Sequence, residues 1–301
     1  MRLLVLGGWG QLGADLALAA EGRHELIRPT RAEVDVTDAA AVAGSVKRVG
    51  PGVVVNLAAF HKLDECERDP RSAFSVNAIG AWNAARASRG AGARTVYVST
   101  DYVFEGERDQ GYEEDAPTRP VNFYGVSKEA GEHLTLSAAP DALIVRGSGL
   151  FGYAGSSGKG GNFVETMLAK AAAGEAISMV DDLRFSPTST RDMAERIILL
   201  LEREAAPGVY HAANAGGCSW FEFADAIFEL AGVDADLRPR SSRTDAIRRP
   251  RTSILLDTRF AEAGLPPARP WRDALGQYLG DREQVPAERR RARLRSSPIR
   301  P

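Results

Sequence analysis

The chain has 301 residues, of which 44% are hydrophobic, and its formal net charge is −2. This length allows one large α/β domain or two unequal domains with a sizeable core. The near-neutral charge argues against nucleic acid as the main partner, and no apolar run approaches the length of a membrane span. Cys66 and Cys218 lie far apart without metal-ligand spacing, which predicts a reduced cytoplasmic protein without structural zinc.

The chain opens with an apolar run at residues 3–6 that predicts a buried parallel strand. Gly7, Gly10 and Gly13 follow, and an alanine- and leucine-rich helix continues to about residue 20. In such a strand–turn–helix unit the first glycine allows a tight turn. The second lets the backbone approach a pyrophosphate, and the third lets helix and strand pack closely. Because a helix amino terminus also binds phosphate, we predict a dinucleotide cofactor here.

A second strand is predicted at residues 24–27, and the residues after it bear on the choice of cofactor. Proteins that bind NAD usually carry an acidic residue near this point for the ribose hydroxyls. Here Arg28, Thr30 and Arg31 follow instead. Two guanidinium groups and a hydroxyl suit a 2′-phosphate, which favours NADPH, with NADH still possible. The alternative is that these arginines are exposed loop residues.

Strands and helices then alternate. Thr37 or Asp38 caps a predicted helix to about residue 48, and residues 53–59 form a third strand that ends in the small residues Ala58 and Ala59. A helix at residues 71–89 and strands at 94–98 and 142–146 complete a doubly wound parallel sheet, with its chemistry beyond the carboxyl ends of the strands. We interpret His61 as a hydrogen-bonding wall residue rather than a catalytic base.

Tyr124 and Lys128 are the main candidates for catalysis. Residues four apart on a helix lie on the same face, one turn from each other. A phenol titrates near ~10, and a nearby ammonium group lowers its pKa and makes it a usable general acid. The alternative is a chance pair on a solvated helix. Because an apolar strand that ends in hydroxyls, including Thr100, precedes the pair, we favour an active site.

The composition changes after residue 146. Glycines and serines dominate residues 147–162, before a helix predicted at residues 163–173, and we interpret this stretch as a mobile substrate lid. A glycine before Lys159 suggests a nucleotide P-loop. However, Tyr153 and Gly160 stand where that motif needs a glycine and a serine or threonine, so we reject it.

The remaining chain predicts a smaller substrate domain. Helices are expected at residues 191–204, 220–231 and 271–279, and a strand at 209–211 is expected to rejoin the main sheet. Asp181 and Asp182 alone do not make a metal site, and we predict none. The predicted parts are a dinucleotide-binding domain at 1–150, rejoined by about 186–215, a substrate domain at 151–185 and 216–280, and a disordered basic tail at 281–301.

The tyrosine–lysine spacing, Thr100 and the amino-terminal glycines together resemble the extended short-chain dehydrogenase/reductase superfamily. More narrowly, the sequence STDYVFEG from Ser99 to Gly106 resembles the signature of the dTDP-4-dehydrorhamnose reductase family. The likeness covers about residues 1–280. It implies an α/β fold, namely a Rossmann-type doubly wound parallel sheet with a smaller interleaved C-terminal substrate domain.

The resemblance also implies roles for individual residues. Tyr124 would donate a proton, Lys128 would hold the nicotinamide ribose and tune the phenol, and Thr100 would hydrogen-bond the substrate carbonyl. The residues that would line the dinucleotide are Gly10, Gln11, Leu12, Asp35, Val36, Ala59, Phe60 and His61. The substrate would meet Thr100, Asp101, Gly149 and Asn162. The family often has a tryptophan where this chain has Gly149, which predicts a pocket without that bulky wall.

The implied activity is NAD(P)H-dependent reduction of the 4-keto group of a nucleotide-linked 6-deoxyhexose, foremost dTDP-4-dehydro-L-rhamnose to dTDP-L-rhamnose. A dehydratase would need a glutamate where Tyr102 follows Asp101, and an epimerase matches the same block less closely. An alternative of another class is a non-catalytic NADP-binding subunit, similar to the regulatory subunit of methionine adenosyltransferase. We expect a monomer or homodimer that contacts a nucleotide sugar but neither nucleic acid nor membrane.

Overall fold

A computed structural model describes residues 1–154 and 161–282 of the chain. Residues 155–160 of the predicted glycine-rich lid, including Lys159, and the basic tail beyond residue 282 lie outside the described residues. The strands are β1 (Arg2–Leu6), β2 (Glu25–Ile27), β3 (Val53–Asn56), β4 (Arg94–Thr100), β5 (Leu143–Gly147), β6 (Leu150–Phe151), β7 (Ile177–Val180), β8 (Arg184–Phe185), β9 (Thr188–Ser189), β10 (Gly208–His211), β11 (Cys218–Ser219) and β12 (Leu237–Arg240).

Helical segments alternate with the strands as predicted only as far as β5. The helices are α1 (Gln11–Ala20), α2 (Ala39–Val49), α3 (Leu63–Arg68), α4 (Pro70–Phe74), α5 (Gly80–Gly90), α6 (Phe123–Ala138), α7 (Phe163–Ala172), α8 (Thr190–Glu202), α9 (Trp220–Ala231), α10 (Arg259–Glu262) and α11 (Trp271–Asp281). A π-helical turn, Ser75–Ile79, joins α4 to α5, and short 3₁₀ turns occur at Asp101–Val103 and Ser242–Thr244.

Six strands form a central sheet in the order β10-β5-β4-β3-β1-β2, and all of its neighbours are parallel. The chain winds outward from β1 in both directions, which confirms the predicted doubly wound α/β fold. The expected return of residues 209–211 is confirmed as well, because β10 pairs with β5. Since parallel strands end at one edge, the carboxyl ends of β1, β3, β4 and β5 meet there.

Both faces of the central sheet are buried. Leu3 and Val5 of β1 pack with α1 and α8, whereas Leu4 and Leu6 pack with α2 and α5 on the opposite face. Side chains alternate between the faces of a strand, so the continuous apolar run reflects burial on both sides. Each fully buried leucine contributes about 1.5–3 kcal/mol to the hydrophobic stabilisation of this core.

A second core lies between α7, α9 and α11, and it is rich in aromatic side chains, including Phe151, Phe223 and Tyr278. Three two-stranded ladders border it: β6 with β9, β7 with β12, and β8 with β11. Helix α9 begins with a capping box in which Ser219 accepts from the backbone of Glu222 and the Glu222 side chain accepts in return. The division of the chain into two domains at the proposed boundaries stays a prediction.

Several local expectations were wrong. The single helix expected at residues 71–89 is α4, the π turn and α5 in succession, and Asp69 caps α4 with Pro70 in its first turn. Helix α3, at Leu63–Arg68, was not predicted, and neither were the two-residue strands. Asp38 is the cap of α2, accepting from two backbone N–H groups.

The structure also bears on the predictions about membrane-spanning segments and about the two cysteines. Within residues 1–154 and 161–282, no helix combines the length and apolarity needed to cross a bilayer. Cys66 and Cys218 are both free thiols in the interior.

Candidate active site

A cavity of about 1050 Å³ lies at the carboxyl edge of the central sheet and extends to α7, β8 and α9. It brings together most of the predicted site residues: Gly7, Gly10, Gln11, Leu12, Gly13, Arg31, Asp35, Val36, Ala58, Ala59, Phe60, His61, Thr100, Asp101, Tyr124, Lys128, Gly149 and Asn162. Residues more than a hundred positions apart thus share one space, as expected for a site at the switch point of a doubly wound sheet.

The glycine turn forms one end of the cavity. Gly7 has a φ of +70°, and a Cβ there would lie 2.6 Å from the backbone nitrogen of Ala58. A Cβ at Gly13 would overlap the backbone of Gly8, whereas one at Gly10 would meet its nearest atom only at 3.6 Å. Gly7 and Gly13 are therefore required by close backbone packing. Gly10 is the N-cap of α1 and lines the cavity, where the free N–H groups of the helix amino terminus can meet a phosphate.

The two arginines proposed for cofactor choice lie in different environments. The guanidinium carbon of Arg28 stacks 4.5 Å from the centre of the Trp9 ring, and burial lowers the pKa of Arg28. This side chain does not line the cavity. Arg31 does line it, with an 83% exposed side chain whose Nε lies 3.3 Å from Asp35. Arg31 is thus the better placed of the two for a ligand phosphate.

The wall from Ala58 to His61 is held by an asparagine that the sequence analysis missed. Asn77, in the π turn, accepts from the Phe60 N–H at 2.8 Å and donates to the Phe60 carbonyl at 2.9 Å. The same amide donates to Ser127 Oγ at 2.9 Å, which ties this wall to α6. An asparagine inside a predicted helix is a weak signal, because only the tertiary contact reveals its role.

Tyr124 and Lys128 lie one turn apart on α6, as predicted; Lys128 is buried and Tyr124 is partly buried at the cavity wall. Burial lowers the pKa of Lys128 to about 7, opposed by the nearby Glu132 carboxylate. Burial also raises the pKa of Tyr124, opposed by its hydrogen bond to Thr100. The expectation that the phenol pKa would lie below its ordinary value is therefore corrected, since the loss of hydration raises it in this geometry.

Thr100 and Asp101 form a buried hydroxyl–carboxylate cluster at the end of β4. Asp101 accepts from Thr100 at 2.9 Å, from Ser148 at 2.7 Å and from Ser253 at 2.5 Å. Burial raises the pKa of this carboxyl group, and the three hydroxyls oppose the shift. Asp101 also lines the cavity, and the substrate contact assigned to it stays a prediction.

The expected gap beside Gly149 is filled. Gly149 has a φ of +51°, and a Cβ there would overlap the ring of Phe185. That ring stacks on Trp220 at a centroid distance of 4.0 Å. The prediction of a missing bulky wall is corrected, because two aromatic rings from β8 and α9 supply one.

The side chain of Asn162 makes three hydrogen bonds within the protein. Its side chain caps α7 through the Glu165 N–H at 3.0 Å, and its amide donates to the Gly152 carbonyl at 2.6 Å and to Tyr278 at 2.8 Å. No described contact of this amide points to a ligand, so the substrate role assigned to it stays a prediction.

The far end of the cavity carries cationic residues that the sequence analysis did not select. Arg184 lies 3.4 Å from Glu222, and Arg249 lies 2.7 Å from Asp245. Both line the cavity together with the Phe185–Trp220 pair. Arginine and aromatic side chains together suit a diphosphate joined to a planar base. No local motif marks these residues, since they come from three separate segments.

The aspartates at 181 and 182 have structural partners. Asp181 accepts from Ser219 at 2.5 Å, and Asp182 accepts from Ser241 at 2.6 Å and from the Ser242 backbone. Across the described ranges, no group of three or more histidine, cysteine or acidic side chains is arranged to hold a metal ion.

Comparison with known proteins gives consistent matches over nearly the whole chain. The family described as RmlD substrate binding domain matches residues 1–283. The spore coat polysaccharide biosynthesis protein SpsK of Bacillus subtilis is 39% identical, with 94% of this chain and 99% of that protein covered. A dTDP-4-dehydrorhamnose reductase of Streptomyces griseus is 41% identical, with 91% of each covered. The structure of the Bacillus anthracis dTDP-4-dehydrorhamnose reductase with NADP has a TM-score of 0.88 at 35% identity, covering 93% of this chain and 99% of that one.

Proposed function

Because the chain belongs to the RmlD substrate binding domain family, we propose that it reduces dTDP-4-dehydro-L-rhamnose to dTDP-L-rhamnose with NADPH. Relatives at about 40% identity carry the name of this reductase. The observation that carries the proposal is that one cavity is lined by the glycine turn, by Thr100, Tyr124 and Lys128, and by Arg184 and Arg249. This support favours the reductase over the binding-subunit alternative.

The glycine turn fits a dinucleotide cofactor. A side chain at Gly7 would collide with the wall at Ala58, and Gly10 leaves room over the amino terminus of α1, so backbone N–H groups can meet a pyrophosphate. We propose that Gln11, Leu12, Val36, Ala59 and Phe60 line the rest of this subsite. The chemistry that NADPH supplies when bound is hydride transfer to the keto carbon.

Tyr124 is proposed as the proton donor. Its raised pKa keeps the phenol protonated at neutral pH, which is the state that a general acid needs. Lys128, whose pKa is about 7, provides positive charge one turn away for the phenolate that forms when the proton leaves. We propose that the same ammonium group binds the nicotinamide ribose.

Thr100 is proposed to hydrogen-bond the keto oxygen. A threonine hydroxyl has one hydrogen, and Asp101 accepts it at 2.9 Å. Donation to the substrate therefore requires this hydroxyl to rotate away from Asp101, while Ser148 and Ser253 continue to satisfy the carboxylate. A donor aimed at the developing alkoxide is worth about 2.7–4 kcal/mol of transition-state stabilisation.

Arg184 and Arg249 are proposed to meet the diphosphate of the nucleotide sugar, and the Phe185–Trp220 wall to meet its rings. The carrier should matter greatly, because binding energy from the non-reacting nucleotide positions the keto carbon. A free keto sugar should therefore be a very poor substrate. We also propose that the protein is cytoplasmic and that it is a monomer or a homodimer. Light scattering of the purified protein tests the oligomeric state.

The direct experiment supplies the purified protein with NADPH and dTDP-4-dehydro-L-rhamnose, generated in place by its epimerase. We expect NADPH consumption that matches the formation of dTDP-L-rhamnose, and no consumption when the epimerase is left out. Reduction of a different keto-sugar nucleotide alone would overturn the choice of sugar but not the reductase. NADPH binding without turnover of any nucleotide sugar would favour a binding subunit.

A further inference from the structure

The ammonium group of Lys128 lies against the face of an aromatic ring on the neighbouring strand. Its Nζ is 4.0 Å from the ring centre of Tyr97 and donates to the Val98 carbonyl at 2.7 Å. Lys128 and Tyr97 are both almost inaccessible to solvent, at 2% and 1% relative exposure. A buried ammonium loses the hydration that stabilises its charge, and the negative face of an aromatic ring replaces part of that stabilisation.

The position of this ring is fixed by two other features. The Tyr97 hydroxyl donates to the backbone carbonyl of Asn77 at 2.8 Å, inside the π turn. Gly131, in the next turn of α6 after Lys128, opens the space that the ring occupies. A Cβ at Gly131 would overlap both the Asn77 carbonyl and the Tyr97 hydroxyl. A glycine inside a helix costs about 0.5–1 kcal/mol relative to alanine, and here it admits the ring beneath the lysine.

Other ionisable groups also surround this position, and they define what a test must hold constant. Tyr124 and Glu132, both on α6, interact with Tyr97, and Glu132 also interacts with Lys128. Cys66 on α3 and Asp101 after β4 interact with Tyr124, and His61 lines the same cavity. Glu132 is paired with Arg146 at 2.6 Å. A substitution at Tyr97 removes none of these groups, so all of them are present in every variant that the test compares.

We propose that Tyr97 is a positioning residue for the reaction, whose ring face keeps Lys128 positively charged inside the protein. The proposal rests on the proposed function for the catalytic role of Lys128, but the charge of Lys128 itself can be measured without turnover. The relevant property is the ring rather than the hydroxyl, so phenylalanine should replace tyrosine in this role and leucine should not.

The test is carbon-13 NMR of the lysine ε-methylene groups as a function of pH. The sequence contains five lysines, Lys47, Lys62, Lys128, Lys159 and Lys170, so the spectrum is simple, and the signal that disappears in Lys128→Met identifies the group. We expect Tyr97→Phe to keep the Lys128 pKa within about 0.3 units of the unmodified protein. Tyr97→Leu should lower it by about one unit, which corresponds to ~1.4 kcal/mol.

A second series covers the case in which Tyr97→Leu does not fold. Phenylalanine analogues with one, two and three ring fluorines change little in size but progressively weaken the negative face of the ring. The Lys128 pKa should fall stepwise along that series, and the high-pH limb of kcat should move to lower pH with it. An unchanged Lys128 pKa in the series would overturn the proposal. Failure of the unmodified protein to reduce any keto-sugar nucleotide would overturn only the proposed function.

Discussion

Replacing Gly149 by alanine tests how firmly the aromatic wall of the cavity is held. The backbone at this position is left-handed, with a φ of +51°, and the new methyl group would overlap the Phe185 ring. Because Phe185 stacks on Trp220 at 4.0 Å, the ring cannot move without disturbing its partner. The substitution therefore combines backbone strain with the displacement of the wall.

The two costs can be estimated separately. A residue with a Cβ in the left-handed region costs roughly 1–2 kcal/mol, and forcing extra volume into a packed site costs about 1–3 kcal/mol. Together they predict a loss of about 2–5 kcal/mol in the free energy of unfolding. Gly44 in α2 is a matched control, since a Cβ there meets nothing within 4 Å. Gly44→Ala should instead stabilise by about 0.4–1 kcal/mol.

Urea denaturation followed by tryptophan fluorescence measures both free energies. Steady-state kinetics then distinguishes an effect on nucleotide-sugar binding from an effect on NADPH binding. The KM for the nucleotide sugar should rise about tenfold in Gly149→Ala, equivalent to ~1.4 kcal/mol, while the KM for NADPH changes little because the glycine turn is untouched. A variant as stable as the unmodified protein, with both KM values unchanged, would show that Phe185 is not fixed against Gly149.

Three further substitutions test other parts of the site. Tyr124→Phe should reduce turnover at least ~100-fold with NADPH affinity intact by fluorescence titration, and a fully active variant would assign the acid elsewhere. Arg31→Ala should reduce the preference for NADPH, measured as the ratio of kcat/KM with NADPH to that with NADH. Equal use of both cofactors by the unmodified protein would refute the phosphate role. Glu132→Gln should cost about 3–5 kcal/mol in urea denaturation, because it leaves the buried Arg146 unpaired. The double variant Glu132→Leu/Arg146→Met should recover most of this loss, and a double variant less stable than the single one would contradict the explanation.

The parts of the site that could be predicted from the sequence depend on local spacing. Glycines three residues apart after an apolar run define the turn before α1, and a four-residue separation places Tyr124 and Lys128 on one face of α6. These patterns do not require knowledge of the neighbours in space. The alternation of strands and helices predicted the sheet for the same reason.

The rest could not be predicted, because it depends on contacts between distant segments. The carboxylate of Asp101 has partners at Ser148 and Ser253, far along the chain, so no local pattern predicts these hydrogen bonds. Gly149 was correctly identified as an unusual residue, but only the fold reveals that Phe185 fills the space beside it. Likewise, the pKa of Tyr124 depends on its burial, which the lysine spacing does not report.

The place of β10 in the sheet has a consequence for how the chain can be shortened or synthesised. β5 is buried along its whole length, and one of its edges is paired only by β10. A fragment of residues 1–150 would keep the glycine turn, Tyr124 and Lys128, yet it would expose an unpaired apolar strand edge that invites aggregation. During translation this edge stays open until residues 208–211 have left the ribosome. Protection by a chaperone would therefore matter most in that interval.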